Sequence, residues 1–93
     1  MSKSIIMFKN EIEVELHYLT EQEAYGPILN ALFEMENDQN IISILFITGK
    51  GSGAMKTVLE NVLEENSYEW FFENNNTGAY RVYRKNRDED FFS

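Results

Sequence analysis

The sequence predicts an α/β protein, a two-layer sandwich in which a mixed four-stranded sheet carries two helices on one face. Three patterns predict it. One early segment alternates apolar and polar residues with the period of a strand, two segments repeat apolar residues with the period of a helix, and the last third reads as two strands joined by an asparagine turn. In chain order these give βαβαββ. Right-handed crossovers place both helices on one side of the sheet and leave its other face partly open.

Ile12-Glu13-Val14-Glu15-Leu16 is the alternating segment, which buries Ile12, Val14 and Leu16 and turns Glu13, Glu15 and His17 to the other face. Thr20-Glu21-Gln22-Glu23 has the form of a capping box and starts the first helix. Its apolar stripe is Ala24, Ile28, Ala31, Leu32 and Met35, with a kink expected near Gly26-Pro27 because Pro27 lacks an amide proton. After the polar turn 37–40, residues 41–47 are nearly all apolar or β-branched and read as a central strand. Thr48-Gly49-Lys50-Gly51-Ser52-Gly53 is a tight glycine loop, and Ser52 is placed to cap a second helix with the stripe Met55, Val58, Leu59, Val62 and Leu63. Residues 68–73 and 77–84 form the closing hairpin around Asn74-Asn75-Asn76.

A chain of 93 residues has room for one small core, and its aromatic content of 14% is far too high for a disordered segment. We divide it into an N-terminal extension (1–11), a single domain (12–84) and a flexible C-terminal tail (85–93). The absence of cysteine and the single histidine exclude disulfide frameworks, zinc clusters and cysteine nucleophiles. No apolar run approaches the roughly 18 residues of a membrane span, so a cytoplasmic domain with no membrane partner is expected.

The formal net charge is -8, and residues 12–84 alone carry twelve acids and four bases, which argues against indiscriminate binding to polyanions. Any nucleic-acid contact must be local. Residues 77–87 hold Arg81, Arg84, Lys85 and Arg87 without an acid, either as part of such a contact or as solvated charge on an edge hairpin. Glu15 and His17 project from one face of a strand, so the carboxylate can orient the imidazole as a general base. Three glycines between a strand and a helix permit positive φ and expose successive amides to an anion, with Lys50 and Lys56 beside them. Lys56 lies in the first turn of the helix, where the dipole disfavours a cation unless a phosphate is near. The bland reading is a glycine turn required for packing. The loop lacks the Walker order, and its loose match to a dinucleotide fingerprint falls after the wrong strand of too small a chain. Tyr68, Trp70, Phe71 and Phe72 alternate across a strand, as a stacking platform for bases or as edge aromatics covered by residues 5–8.

Val14-Glu15-Leu16-His17-Tyr18-Leu19-Thr20, Thr20-Glu21-Gln22-Glu23-Ala24 and Phe46-Ile47-Thr48-Gly49-Lys50-Gly51-Ser52-Gly53-Ala54, with Thr77-Gly78 in the closing hairpin, together resemble the Smr (small MutS-related) domain family over residues 12–84. The resemblance implies a fold similar to the C-terminal domain of translation initiation factor three. It also implies DNA or RNA as partner and an endonuclease activity attributed to the acidic-x-His strand and the glycine loop. On that reading His17 and Glu15 are catalytic, and Thr48, Gly49, Lys50, Gly51, Ser52, Gly53, Lys56, Arg81 and Arg84 bind nucleic acid or phosphate. No cofactor is expected, and a divalent metal is left open.

Three departures matter. Glu15 stands where the family usually has Asp, Tyr18 replaces a glycine, and Thr48 replaces the second histidine of the family pattern. If both imidazoles are needed as acid and base, the domain binds without cutting. The alternative reading is a catalytically silent acidic module that binds a protein partner.

Overall fold

A computed structural model of the chain describes residues 10–51 and 53–85. The elements follow the expected order: β1 (Glu11–Glu15), α1 (Glu21–Asn37), β2 (Ser43–Ile47), α2 (Gly53–Glu65), β3 (Trp70–Glu73) and β4 (Asn76–Tyr83). The sheet order is β1-β2-β4-β3. β1 and β2 are parallel, and β4 runs antiparallel to both β2 and β3. The parallel pair requires a long crossover, which α1 supplies.

Two rows of side chains cross the sheet on the face that meets the helices. One runs Ile12, Ile44, Val82, Trp70, and the other Val14, Phe46, Tyr80, Phe72. The central members Ile44, Phe46, Tyr80 and Val82 are fully buried, while Ile12, Val14 and Trp70 on the outer strands are half-buried against the same core. All ten residues of the two expected helical stripes are buried there. Each large aliphatic side chain so enclosed contributes roughly 1.5–3 kcal/mol. Two phenols tie helices to this face from the sheet side. Tyr80 donates to Glu60 of α2 at 2.5 Å, and Tyr68 donates to Glu36 of α1 at 2.6 Å. Burial, together with the Glu60 carboxylate, pushes the Tyr80 phenol well above its ordinary range.

Thr20 caps α1 as expected, its hydroxyl accepting from the Glu23 amide at 3.1 Å while the Glu23 carboxylate accepts from the Thr20 amide at 2.9 Å. The helix then runs without interruption from Glu21 to Asn37, Pro27 included. The hairpin turn is tighter than expected: Asn74 and Asn75 alone connect the strands, both at positive φ as a two-residue primed turn requires, with a register shift at Phe72/Glu73. Strands β2 and β3 are shorter than their apolar runs. Ile42 lies outside β2 although its amide donates to Asn10 at 2.8 Å, and Tyr68 precedes β3. The expected cap at Ser52, the cover from residues 5–8 and the tail beyond Lys85 lie outside the described residues. Among the described residues no helix is long and apolar enough to cross a membrane.

Candidate functional site

The parallel pairing of β1 with β2 brings the ends of both strands to one edge of the sheet, where ligands of open α/β sheets usually sit. Leu16 fixes the approach. Its side chain is fully buried and its amide donates to the carbonyl of Ile47 at 2.8 Å, so the next residue, His17, emerges beside the first residues after β2. The His17 Nδ1 is hydrogen-bonded to Glu15 Oε2, the pairing expected of residues two apart on a strand. Both side chains remain about 40% exposed, so the pair is open to a ligand.

Gly49 meets His17 directly. It has φ of 87°, and a Cβ built on it would stand 3.2 Å from the Cβ of His17. Glycine is therefore required twice at this position, by backbone angle and by the neighbouring histidine. Gly78 of β4 is the floor of the loop. A Cβ there would lie 2.7 Å from the carbonyl carbon of Gly49 and 2.9 Å from the amide nitrogen of Lys50, both backbone atoms. The Gly78 carbonyl in turn accepts from the amides of Thr48 at 2.8 Å and Gly49 at 3.3 Å. Sequence reasoning counted Thr77-Gly78 only as part of the closing hairpin. Its role under the loop depends on strand pairing 30 residues away along the chain.

Gly51 and Gly53 differ from this pair. Neither has a positive φ and neither has an atom within 4 Å of a built Cβ. Of the loop glycines that permit positive φ, Gly49 adopts it, and the space beside Gly51 and Gly53 is open among the described residues. Lys50 is exposed, and its ammonium has no partner among the described residues. Lys56 is tethered: its ammonium donates to the carbonyl of Lys50 at 3.1 Å, which gives a cation in the first turn of α2 a structural reason without any phosphate. That first turn contains no acid, in contrast to α1 with Glu21 and Glu23.

Three other expected contacts are placed differently. Thr48 is fully buried, and its hydroxyl donates to the carbonyls of Gly49 at 3.1 Å and Gly78 at 3.4 Å, so it faces the base of the loop and not a ligand. Arg81 lies on the sheet face away from the helices, ion-paired with Glu11 and with Glu73 at 3.0 Å and hydrogen-bonded to Ser43. The Glu73 hydrogen bond, strengthened by Glu11, holds its guanidinium proton more firmly than usual, and Arg81 in turn holds the Glu73 carboxyl below its ordinary range. Arg84 closes the carboxyl end of α1, donating to the carbonyls of Met35, of Asp38 at 3.0 Å and of Ile41 at 3.4 Å. The last turn of α1 has no basic residue of its own, and Arg84 supplies one from another element. Both arginines are thus engaged by partners within the protein.

The aromatic residues of β3 divide by face. Trp70 packs into the core and Phe72 stands edge-on to Tyr80 at 5.0 Å, whereas Phe71 is exposed beside Tyr83 on the opposite face. Their strand is at the opposite end of the strand order from β1, with β2 and β4 between. No three His, Asp or Glu side chains among the described residues converge as a metal site.

No family model and no curated protein matches the sequence. Solved structures do. The solution structure of the B3BP Smr domain superposes with a TM-score of 0.66 at 19% identity, covering 89% of this chain and 84% of that one. The crystal structure of the Smr domain of Thermus thermophilus MutS2 gives 0.67 at 20% identity, covering 82% of this chain and 98% of that one. The chain therefore has the fold of Smr domains, with the four-stranded mixed sheet and two helices in the order βαβαββ.

Proposed function

We propose that this Smr-fold domain binds nucleic acid at the shared edge of β1 and β2, with the phosphate backbone against the loop 49–53 and Lys50, and the Glu15–His17 pair at the centre of the site. The observation that carries the reading is the state of Gly51 and Gly53. Nothing among the described residues demands glycine at either position, since neither has a positive φ and no described atom lies within 4 Å of a built Cβ. A phosphate resting on the backbone does demand it. The absence of acids from the first turn of α2 and the free ammonium of Lys50 give the same edge a local positive character within an acidic protein.

Cleavage is slow or absent on this reading. His17, oriented by Glu15, can accept or donate a proton to a ribose hydroxyl or a water. The residue in the position of the second histidine of the family pattern is Thr48, which cannot exchange a proton near neutral pH and is enclosed besides. One imidazole supports binding more directly than a two-proton reaction. The alternative, a catalytically silent acidic module for a protein partner, draws on the net charge and on the missing histidine at the Thr48 position.

Filter binding of labelled RNA and DNA at two salt concentrations, followed by a gel for cleavage, tests the proposal. Gly51→Ala is expected to unfold at the same temperature as the native chain yet bind several-fold more weakly. Unchanged affinity in that variant contradicts a phosphate on the loop. If a nuclease activity is detected, His17→Ala should lower it by roughly two to four decades and leave binding nearly intact.

A further inference from the structure

Tyr18 has no part in the proposed function and is 81% exposed. Its backbone is nonetheless placed by its neighbours on either side. It lies in a turn closed by the Leu19 amide donating to the Leu16 carbonyl at 2.9 Å, with buried Leu16 before it and the capping box of α1 immediately after. The ring is held against the imidazole of His17, with centroids 3.9 Å apart and planes inclined by 36°. His17 in turn abuts Gly49 at the start of the glycine loop. Phe33 is a comparably exposed ring, at 70%, but it stands in mid-helix next to Glu34, away from the loop and its lysine.

An aromatic ring projected from a hydrogen-bonded turn, beside a backbone suited to phosphate, matches what an unpaired nucleotide offers: a flat face with a charge a few ångströms from it. A continuous duplex buries the faces of its bases against one another and offers none. We propose that Tyr18, backed by His17, is a stacking platform for one unpaired base, so that the domain selects single-stranded or locally unpaired nucleic acid over continuous duplex. This rests on the reading that the same edge binds nucleic acid, and it names the class of nucleic acid bound. Stacking uses the face common to all bases, so the selection is for unpaired structure and not for sequence. Where the family pattern has glycine, this chain carries the platform.

Fluorescence anisotropy with three labelled probes separates the possibilities: a ten-residue oligothymidylate, its abasic analogue of equal length, and a long, blunt-ended, fully paired DNA duplex. The native protein is expected to bind the oligothymidylate most tightly. Tyr18→Ala should weaken that binding roughly five- to hundredfold, down to the level of the abasic strand, and leave the abasic strand unaffected. Tyr18→Phe and Tyr18→Trp should retain it, and the added indole should be quenched on binding. Because the side chain is exposed, all three variants should unfold with the native chain. If Tyr18→Ala binds oligothymidylate as well as the native protein while Lys50→Ala binds it more weakly, the platform is refuted and the loop reading stands. If the native protein binds none of the probes at low salt, both are refuted.

Discussion

Arg81 and Arg84, at the end of β4, carry the same charge as Lys50 and Lys56, around the glycine loop, and are used in opposite ways. The arginines lie among acceptors. Glu11, Ser43 and Glu73 surround one, and two carbonyls at the end of α1 together with that of Ile41 beyond it receive the other. At the loop, Lys56 has a single carbonyl partner and Lys50 has none among the described residues. Charge density along a sequence therefore does not locate a binding surface. A guanidinium has five donors in a fixed fork and is readily absorbed by a scaffold rich in carboxylates, whereas a lone ammonium beside glycines remains available.

The largest expected effect comes from breaking the arginine side of this contrast. Arg84→Ala leaves the end of α1 without a cation and is expected to cost about 2 kcal/mol by denaturant unfolding, with no change in the salt dependence of nucleic-acid binding. A lowered salt slope would put Arg84 at the interface after all.

Arg81→Met should cost less, about 1 kcal/mol, because its partners are partly solvated. It should also change the response to acid. Arg81 keeps the folded-state pKa of Glu73 below its ordinary value of 4.5, so this contribution to stability is present above that pH and is lost as the pH falls through the depressed folded value. In Arg81→Met that acid-side loss should shrink, as unfolding followed from pH 6 down to pH 3 would reveal.

The lysines should respond in the reverse sense. Lys56→Met removes one hydrogen bond to the loop and is expected to cost roughly 0.5–1 kcal/mol, with a smaller effect on salt slope than that of its neighbour. Lys50→Ala should leave stability within about 0.5 kcal/mol and reduce the slope of log affinity against log salt by about one contact. An unchanged slope would remove Lys50 from the proposed interface.

These differences mark the boundary of what local pattern conveys. The capping box at Thr20, both helical stripes and the alternation through β1 depend on neighbours within a few positions, and each appears in the structure where its spacing puts it. The Glu15–His17 pair is legible for the same reason. The roles of Arg81 and Arg84 are not, since Glu11 is 70 positions from Arg81 and Met35 is 49 from Arg84. The burial of Thr48 escapes notice because nothing local says that β4 will pack its carbonyls against that hydroxyl. The glycines are half legible: loop composition signals a special backbone, but only the fold distinguishes Gly49, fixed by angle and histidine, from Gly51 and Gly53, fixed by nothing internal.

The floor that Gly78 makes under the loop has a temporal consequence. β4 is the last strand in chain order, yet it inserts between β2 and β3 at the middle of the sheet. During synthesis, His17, the loop and both of its lysines emerge well before the strand that supports them. A nascent chain ending near residue 69 has every charged group of the proposed site and none of its underside. On the proposed reading, competence to hold a phosphate arises late, in the same long-range pairing step that completes the core.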